Sequence, residues 1–142
     1  MTPTPKIKIA LVSGANSALG KATTTGLAKW GAAVVIVCRD AKRGEAARQD
    51  IIAASGNRSI ELMVADLSSQ QNVRHFVLAF RSKYDHLRLL INNVGGSFMT
   101  RHPSVDGIEY SLTVNHLASF LLTNLRLNAL KSNHWHGKWQ VR

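Results

Sequence analysis

The 142-residue chain is 45% hydrophobic, enough for one domain with a buried core and too apolar for a disordered segment. Its net charge of +10 admits a polyanionic ligand, but the basic residues (Arg39, Lys42, Arg43, Arg74, Arg81, Lys83, Arg126 and others) are scattered without interleaved stacking aromatics, which argues against nucleic acid and leaves a solvated basic surface as the plain alternative. No apolar run approaches the roughly 18 residues of a bilayer span, Met1–Lys6 lacks the layout of a secretory signal, and the single cysteine, Cys38, excludes an internal disulfide and fits a reducing cytoplasm.

Ile7–Ser13 reads as a short apolar strand, followed by a turn of small residues and a helix over Leu19–Trp30 that Gly31 stops. Ala33–Cys38 (AVVIVC) is an unbroken apolar run, the pattern of a parallel strand covered on both faces. Asp40 is placed to cap a helix over Ala41–Ser55, which Gly56-Asn57 closes. Ser59–Val64 is a third strand, Ser68-Ser69 opens a helix to about Tyr84, and Leu87–Asn92 is a fourth strand. Asp106 is expected to start a long helix ending near Lys131. Strands that alternate with helices imply βαβ crossovers and a parallel sheet. The last helix is apolar around most of its circumference (Ile108, Leu112, Leu117, Phe120, Leu121, Leu122, Leu125, Leu127 and Leu130), so it expects cover from further chain or a second subunit.

The turn Ser13-Gly14-Ala15-Asn16-Ser17-Ala18-Leu19-Gly20 carries the first chemical signal. Gly14 opens backbone conformations closed to other residues, and small side chains let the backbone approach a pyrophosphate. Free N–H groups and the dipole at the following helix start then favour the phosphates, and Gly20 allows close helix–sheet packing. A P-loop is excluded, because five residues separate the glycines and Ala22 follows Lys21 where a hydroxyl is needed. G-x-G-x-x-G does not fit either. An ordinary strand-to-helix turn remains the alternative for this segment taken alone.

The turn resembles the T-G-x-x-x-G-x-G motif of the short-chain dehydrogenase/reductase family, with Ser13 for Thr and Ala18 for the middle Gly. Further segments resemble the family in the right order. Asp66-Leu67 is similar to its adenine contact, Asn92-Asn93-Val94-Gly95 to its N-N-A-G, and the stretch from Asp106-Gly107-Ile108-Glu109 through Val114-Asn115-His116-Leu117, with Phe120–Leu125, to the segment bearing its catalytic Asn. That last stretch, with CRD…KRGE around Arg39, is similar to the retinol-dehydrogenase-like branch. The resemblance covers about residues 7–131. It implies a Rossmann-type doubly wound α/β fold with a parallel sheet, truncated after about four strands, and a tail over 132–142 outside the family pattern.

The resemblance also implies a nicotinamide dinucleotide, bound by Gly14, Asn16, Ser17, Leu19, Gly20, Arg39, Asp66, Leu67, Asn92, Asn93, Val94 and Gly95. Cys38 stands where NAD-preferring members carry an acid, and Arg39 follows as in NADP-preferring members, so NADP(H) is expected over NAD(H). A guanidinium suits a 2′-phosphate as a carboxylate suits a 2′-hydroxyl. Asn115 falls on the catalytic Asn that kinks its helix and holds a water in the proton relay. For Arg39, Asp66 and Asn115 the bland alternatives are a solvated loop cation, a loop Asp and a helix Asn bonded to neighbouring backbone.

The family's reaction moves hydride to or from an alcohol or carbonyl substrate and needs a Ser and a Y-x-x-x-K pair. Arg88 lies four residues after Tyr84, and Val114 four after Tyr110, so neither tyrosine qualifies. These residues alone are therefore expected to be catalytically incompetent. His134 and His136 are too few to hold a metal. A homo-oligomer through the 106–131 helix is expected. The competing readings are a non-catalytic dinucleotide-binding or interaction module and a basic nucleic-acid binder.

Overall fold

The computed structural model describes residues 9–131, with side chains as far as Leu125. The expected strand start at Ile7, the tail over 132–142 with His134 and His136, and the side chains of Leu127 and Leu130 lie outside the described residues.

Strand β1 (Ile9–Ser13), helix α1 (Ala18–Lys29), β2 (Ala33–Cys38), α2 (Ala41–Ser55), β3 (Ile60–Val64), α3 (Gln70–Lys83) and β4 (Leu89–Ile91) follow one another. They are followed by a short helix α4 (Tyr110–Leu112), a π segment (Thr113–Leu117) and α5 (Ala118–Lys131). The four strands form one parallel sheet in the order β3-β2-β1-β4. The chain winds outward from β1 to β3, then crosses back to lay β4 on the other side of β1. The strand order therefore reverses between β1 and β4, where sheets of this kind leave a crevice beyond their carboxyl ends.

Alternation along β1 and β2 divides the core in two, because successive side chains point to opposite faces. Leu11, Val35 and Val37 pack with Val73, Phe76, Val77, Phe80, Ala118 and Leu122 of α3 and α5. Ala10, Val12, Val34 and Ile36 pack with Leu27, Ala28 and Ile51 of α1 and α2. β2 is buried over Val34–Cys38, as its unbroken apolar run requires. Ile36 is fully buried, and truncating such a residue to Ala costs about 2–5 kcal/mol.

Each early helix starts on a side-chain cap. Ser17 accepts from Gly20 N at 3.1 Å, Asp40 from Arg43 N at 2.8 Å and Ser69 from Asn72 N at 3.3 Å. The long helix departs from expectation. Asp106 does not open it: Ser104 N donates to Ile108 O at 2.7 Å and holds residues 104–108 in a turn. The helix begins at Tyr110, where Glu109 accepts from Ser111 N and Leu112 N. Asp106 instead reaches the start of α3, accepting from Gln70 N at 2.9 Å. β4 is also shorter than the expected Leu87–Asn92, and its residues are half-buried because its outer side has no paired strand among the described residues. Along the last helix Ala118 and Leu122 are buried, whereas Phe120 is 58% exposed and Leu112 48% exposed. No helix among the described residues is long and apolar enough to cross a membrane.

Candidate functional site

Beyond the carboxyl ends of the strands, at the β1–β4 switch, lies an open cleft of about 350 Å³. Its walls are the β1–α1 turn (Gly14, Asn16, Ser17), the end of β2 and the start of α2 (Cys38, Arg39, Asp40, Arg43), the β3–α3 loop (Asp66, Leu67, Ser68), the segment after β4 (Asn93–Gly96, Phe98), and Tyr110 with Val114. A larger hollow of about 490 Å³ opens along β3 and α2. Within it Arg48 pairs with Glu45 at 2.8 Å and Glu61 with Lys83 and Tyr84, while Arg58 joins none of the ion pairs among the described residues. The switch-point cleft is the better candidate because it gathers the glycine turn, the strand ends and two cations where the strand order reverses.

The glycine turn is held in a fixed shape. Gly14 has φ +68°, a left-handed conformation that a side chain would strain. A Cβ on Gly20 would lie 2.4 Å from Gly14 O and 2.6 Å from Asn93 Nδ2, so only glycine fits there. Ser17 takes the N–H of Gly20. The exposed N–H groups of Ala18 and Leu19 then open α1 without a partner among the described residues, as first-turn donors do. Ser13 and Asn93 complete the frame. Ser13 Oγ accepts from Asn93 N at 3.0 Å, and Asn93 Nδ2 donates to Gly14 O at 3.0 Å and Ser17 Oγ at 3.1 Å. The paired-asparagine segment thus ties the β4 loop to the glycine turn.

The end of β2 supplies charge. Cys38 is buried, and loss of solvent raises its thiol above the ordinary value, so it presents a neutral floor. Asp40 is occupied as the α2 cap; the N–H of Arg43 holds its carboxyl below the usual range. Arg39 is exposed over the cleft and donates from Nη1 to the Tyr110 hydroxyl at 3.0 Å. None of the ion pairs among the described residues engages Arg39 or Arg43.

Of the residues singled out from sequence, Gly14, Asn16, Ser17, Arg39, Asp66, Leu67, Asn93, Val94 and Gly95 line the cleft. One oxygen of Asp66 accepts from Ser68 N at 2.9 Å and Ser68 Oγ at 2.7 Å. Leu67 belongs to the core beneath. Three residues stand off the walls. Gly20 lies under the turn, Leu19 points out at 70% exposure, and Asn92 donates to Thr123 Oγ1 at 2.9 Å. Asn115 sits in the π segment, with its amide bonded to Gly96. Sequence reasoning missed Arg43, Phe98, Tyr110 and Val114. The approach of Arg43 could have been read from its place one helical turn beyond Arg39. The other three arrive from a distant loop and helix.

The model of the family described as short chain dehydrogenase matches residues 8–138. Retinol dehydrogenase 11 of Mus musculus is 41% identical over 126 residues, 89% of this chain and 40% of that protein. Dehydrogenase/reductase SDR family member 13 of Homo sapiens is 44% identical over 125 residues, 88% of this chain and 33% of that protein. The chain therefore spans well under half the length of these relatives. Among solved structures, the Pseudomonas aeruginosa RhlG/NADP active-site complex superposes with a TM-score of 0.78 at 28% identity, over 96% of this chain and 52% of that one. A metagenomic short-chain oxidoreductase in complex with NADP gives 0.77 at 25% identity, over 91% of this chain and 59% of that one. The family match over most of the sequence, laid on a parallel sheet with a cleft at its switch point, makes the chain a member of the short-chain dehydrogenase/reductase family of oxidoreductases.

Proposed function

We propose that the cleft binds NADP(H) in preference to NAD(H), as part of a protein that interconverts a small alcohol and its carbonyl compound. The observation that carries this reading is Arg39. It extends over the cleft from the end of β2, while the neighbouring Asp40 is spent on capping α2 and Cys38 offers no negative charge. A carboxylate free at this place would favour a ribose hydroxyl; a guanidinium favours a phosphate. Arg43 adds a second cation on the same wall. The residues present fit a dinucleotide: Gly14 and Gly20 let the turn pack tightly on itself and on Asn93, which fixes its shape, and the N–H groups of Ala18 and Leu19 suit a pyrophosphate. Two similar structures are named as NADP complexes, which supports the choice. When bound, such a cofactor supplies or accepts the hydride.

The chain's own part is binding and orientation. Its tyrosines are not placed for proton transfer by a Tyr-x-x-x-Lys pair. Tyr84 donates to Glu61 beside β3, and burial first, then Glu61, pushes its phenol up to about 12. The Tyr110 hydroxyl is engaged by Arg39. We therefore infer that these 142 residues bind the cofactor but do not by themselves reduce a carbonyl substrate, the role of a non-catalytic binding module. Asn115, at the family's catalytic Asn, would meet the reaction only where further residues complete the site. The exposed Phe120 supports a homo-oligomer through the last helix, and the lone buried thiol of Cys38 suits a reducing compartment such as the cytoplasm.

Calorimetric titration of the chain with NADP+ and NAD+ tests the binding proposal. Tighter binding of NADP+ is expected; equal affinities would remove the assignment of Arg39, and no binding of either would end the proposal. Carbonyl-dependent oxidation of NADPH tests the second point, with no rate above background expected.

A further inference from the structure

Tyr110 enters the cleft from the start of the last helix, outside the residues singled out for the nucleotide, and it makes the one side-chain hydrogen bond of Arg39 among the described residues. Its ring is set from several sides. Phe98 meets it edge-on, with centroids 4.8 Å apart and planes at 89°, and His102 stacks on it at 4.6 Å and 24°. Tyr110 N donates to His102 O at 2.9 Å, and Glu109 caps the helix turn that Tyr110 begins. The hydroxyl therefore projects from a fixed ring, whereas Arg39 is exposed and carries about 2 kcal/mol of rotamer entropy when free.

We propose that Tyr110 is a positioning residue that holds the Arg39 guanidinium over the cleft for the phosphate monoester that distinguishes NADP(H) from NAD(H). This rests on the binding reading above. The bond uses one N–H of Nη1, and a guanidinium has five donors, so a paired face remains for phosphate oxygens. Binding then no longer has to immobilise a free arginine, which is how preorganisation raises affinity. The effect is confined to ligands carrying the extra phosphate, because Tyr110 acts through Arg39. The aromatic support joins the loop after β4 to this choice of cofactor.

The test is a double-mutant cycle of Tyr110→Phe and Arg39→Met, titrated with NADP+ and NAD+ and checked by thermal melting. Tyr110→Phe keeps the ring contacts and removes the hydroxyl. It should weaken NADP+ binding roughly three- to tenfold, the range of a single hydrogen bond, and leave NAD+ binding and the melting temperature unchanged. In the Arg39→Met background the same substitution should have no further effect on NADP+. Three outcomes would overturn the proposal: equal losses for both cofactors, unchanged or improved NADP+ binding, or an undiminished effect without Arg39. If the unsubstituted chain shows no preference for NADP+, the binding reading itself has failed and this proposal falls with it. A wild-type preference that Tyr110→Phe leaves undiminished refutes the role of Tyr110 alone.

Discussion

The carboxamide of Asn115 pairs with both backbone groups of Gly96: Oδ1 accepts from Gly96 N at 2.8 Å and Nδ2 donates to Gly96 O at 2.9 Å. The π segment carries this amide to the strand loop, and a Cβ on Gly95 would come within 3.1 Å of its Oδ1. Asn115 thus fixes the floor of the cleft after β4 whatever else it does. Asn115→Ala should lower stability by about 1 kcal/mol per lost hydrogen bond at most, since both partners are exposed and water can replace the amide. Urea unfolding measures the loss. Amide exchange at Gly96 should speed up in the same variant.

The glycine turn gives a paired prediction. Gly20→Ala puts a methyl group against Gly14 O and the Asn93 amide, so backbone must shift. A loss of about 1–3 kcal/mol is expected from overpacking. Gly26→Ala, in the same helix with nothing within 4 Å of the new methyl group, should instead gain about 0.5–1 kcal/mol. Thermal melts of the two variants should move in opposite directions.

Arg39→Glu should reverse cofactor choice. Loss of a charge-assisted bond to phosphate is worth about 1.5–3 kcal/mol, or roughly 10- to 100-fold in affinity for NADP+. NAD+ should bind at least as well as before, because a carboxylate can accept from a ribose hydroxyl. Titration with both cofactors is the check; a parallel loss would mean that the substitution damaged the fold or that Arg39 faces another group.

Alkaline pH should loosen the β3 edge. The fold raises the Tyr84 phenol from its ordinary value of 10 to about 12, through burial and its bond to Glu61. The favoured form is the protonated one, so this contribution is complete below about pH 10 and is lost as pH rises toward 12. Glu61 has the opposite sign. Its bonds from Lys83 and Tyr84 hold it below its ordinary 4.5, so its contribution is present above that value and fades as pH falls below it. Urea unfolding across pH should show both declines, and Tyr84→Phe should flatten the alkaline one.

Phe120 lies in the open on the last helix beside half-buried Leu121. A large exposed apolar side chain and a strand with an unpaired side among the described residues both invite association. Light scattering should report a species larger than the monomer, shifted toward the monomer by Phe120→Glu. A monomer in both cases would count against an interface on this helix.

Local signals made most of the sheet legible. The apolar run of β2, the small-residue turn, the cap at Asp40 and the serines opening α3 lie within a few residues of the elements they set. The stretch between β4 and Tyr110 was read least well. Asp106-Gly107 has the look of a helix start, but the Ser104–Ile108 turn competes, and the Asp106 carboxylate caps a helix 36 residues earlier in the chain. Tyr110 meets Arg39 across 71 residues. No local pattern encodes such a pairing, since it depends on how the loop folds back over the strand ends. Phe98 escapes a local reading for the same reason, and Asn92, which motif similarity places at the cofactor, donates to Thr123 Oγ1.

Backbone amide shifts on adding NADP+ report most directly on whether the switch-point cleft is the dinucleotide site. The largest changes should fall on Asn16–Gly20, Arg39 and Gly95, with little movement near Glu61 and Arg48. Shifts confined to the hollow along β3, or none anywhere at saturating cofactor, would contradict the assignment.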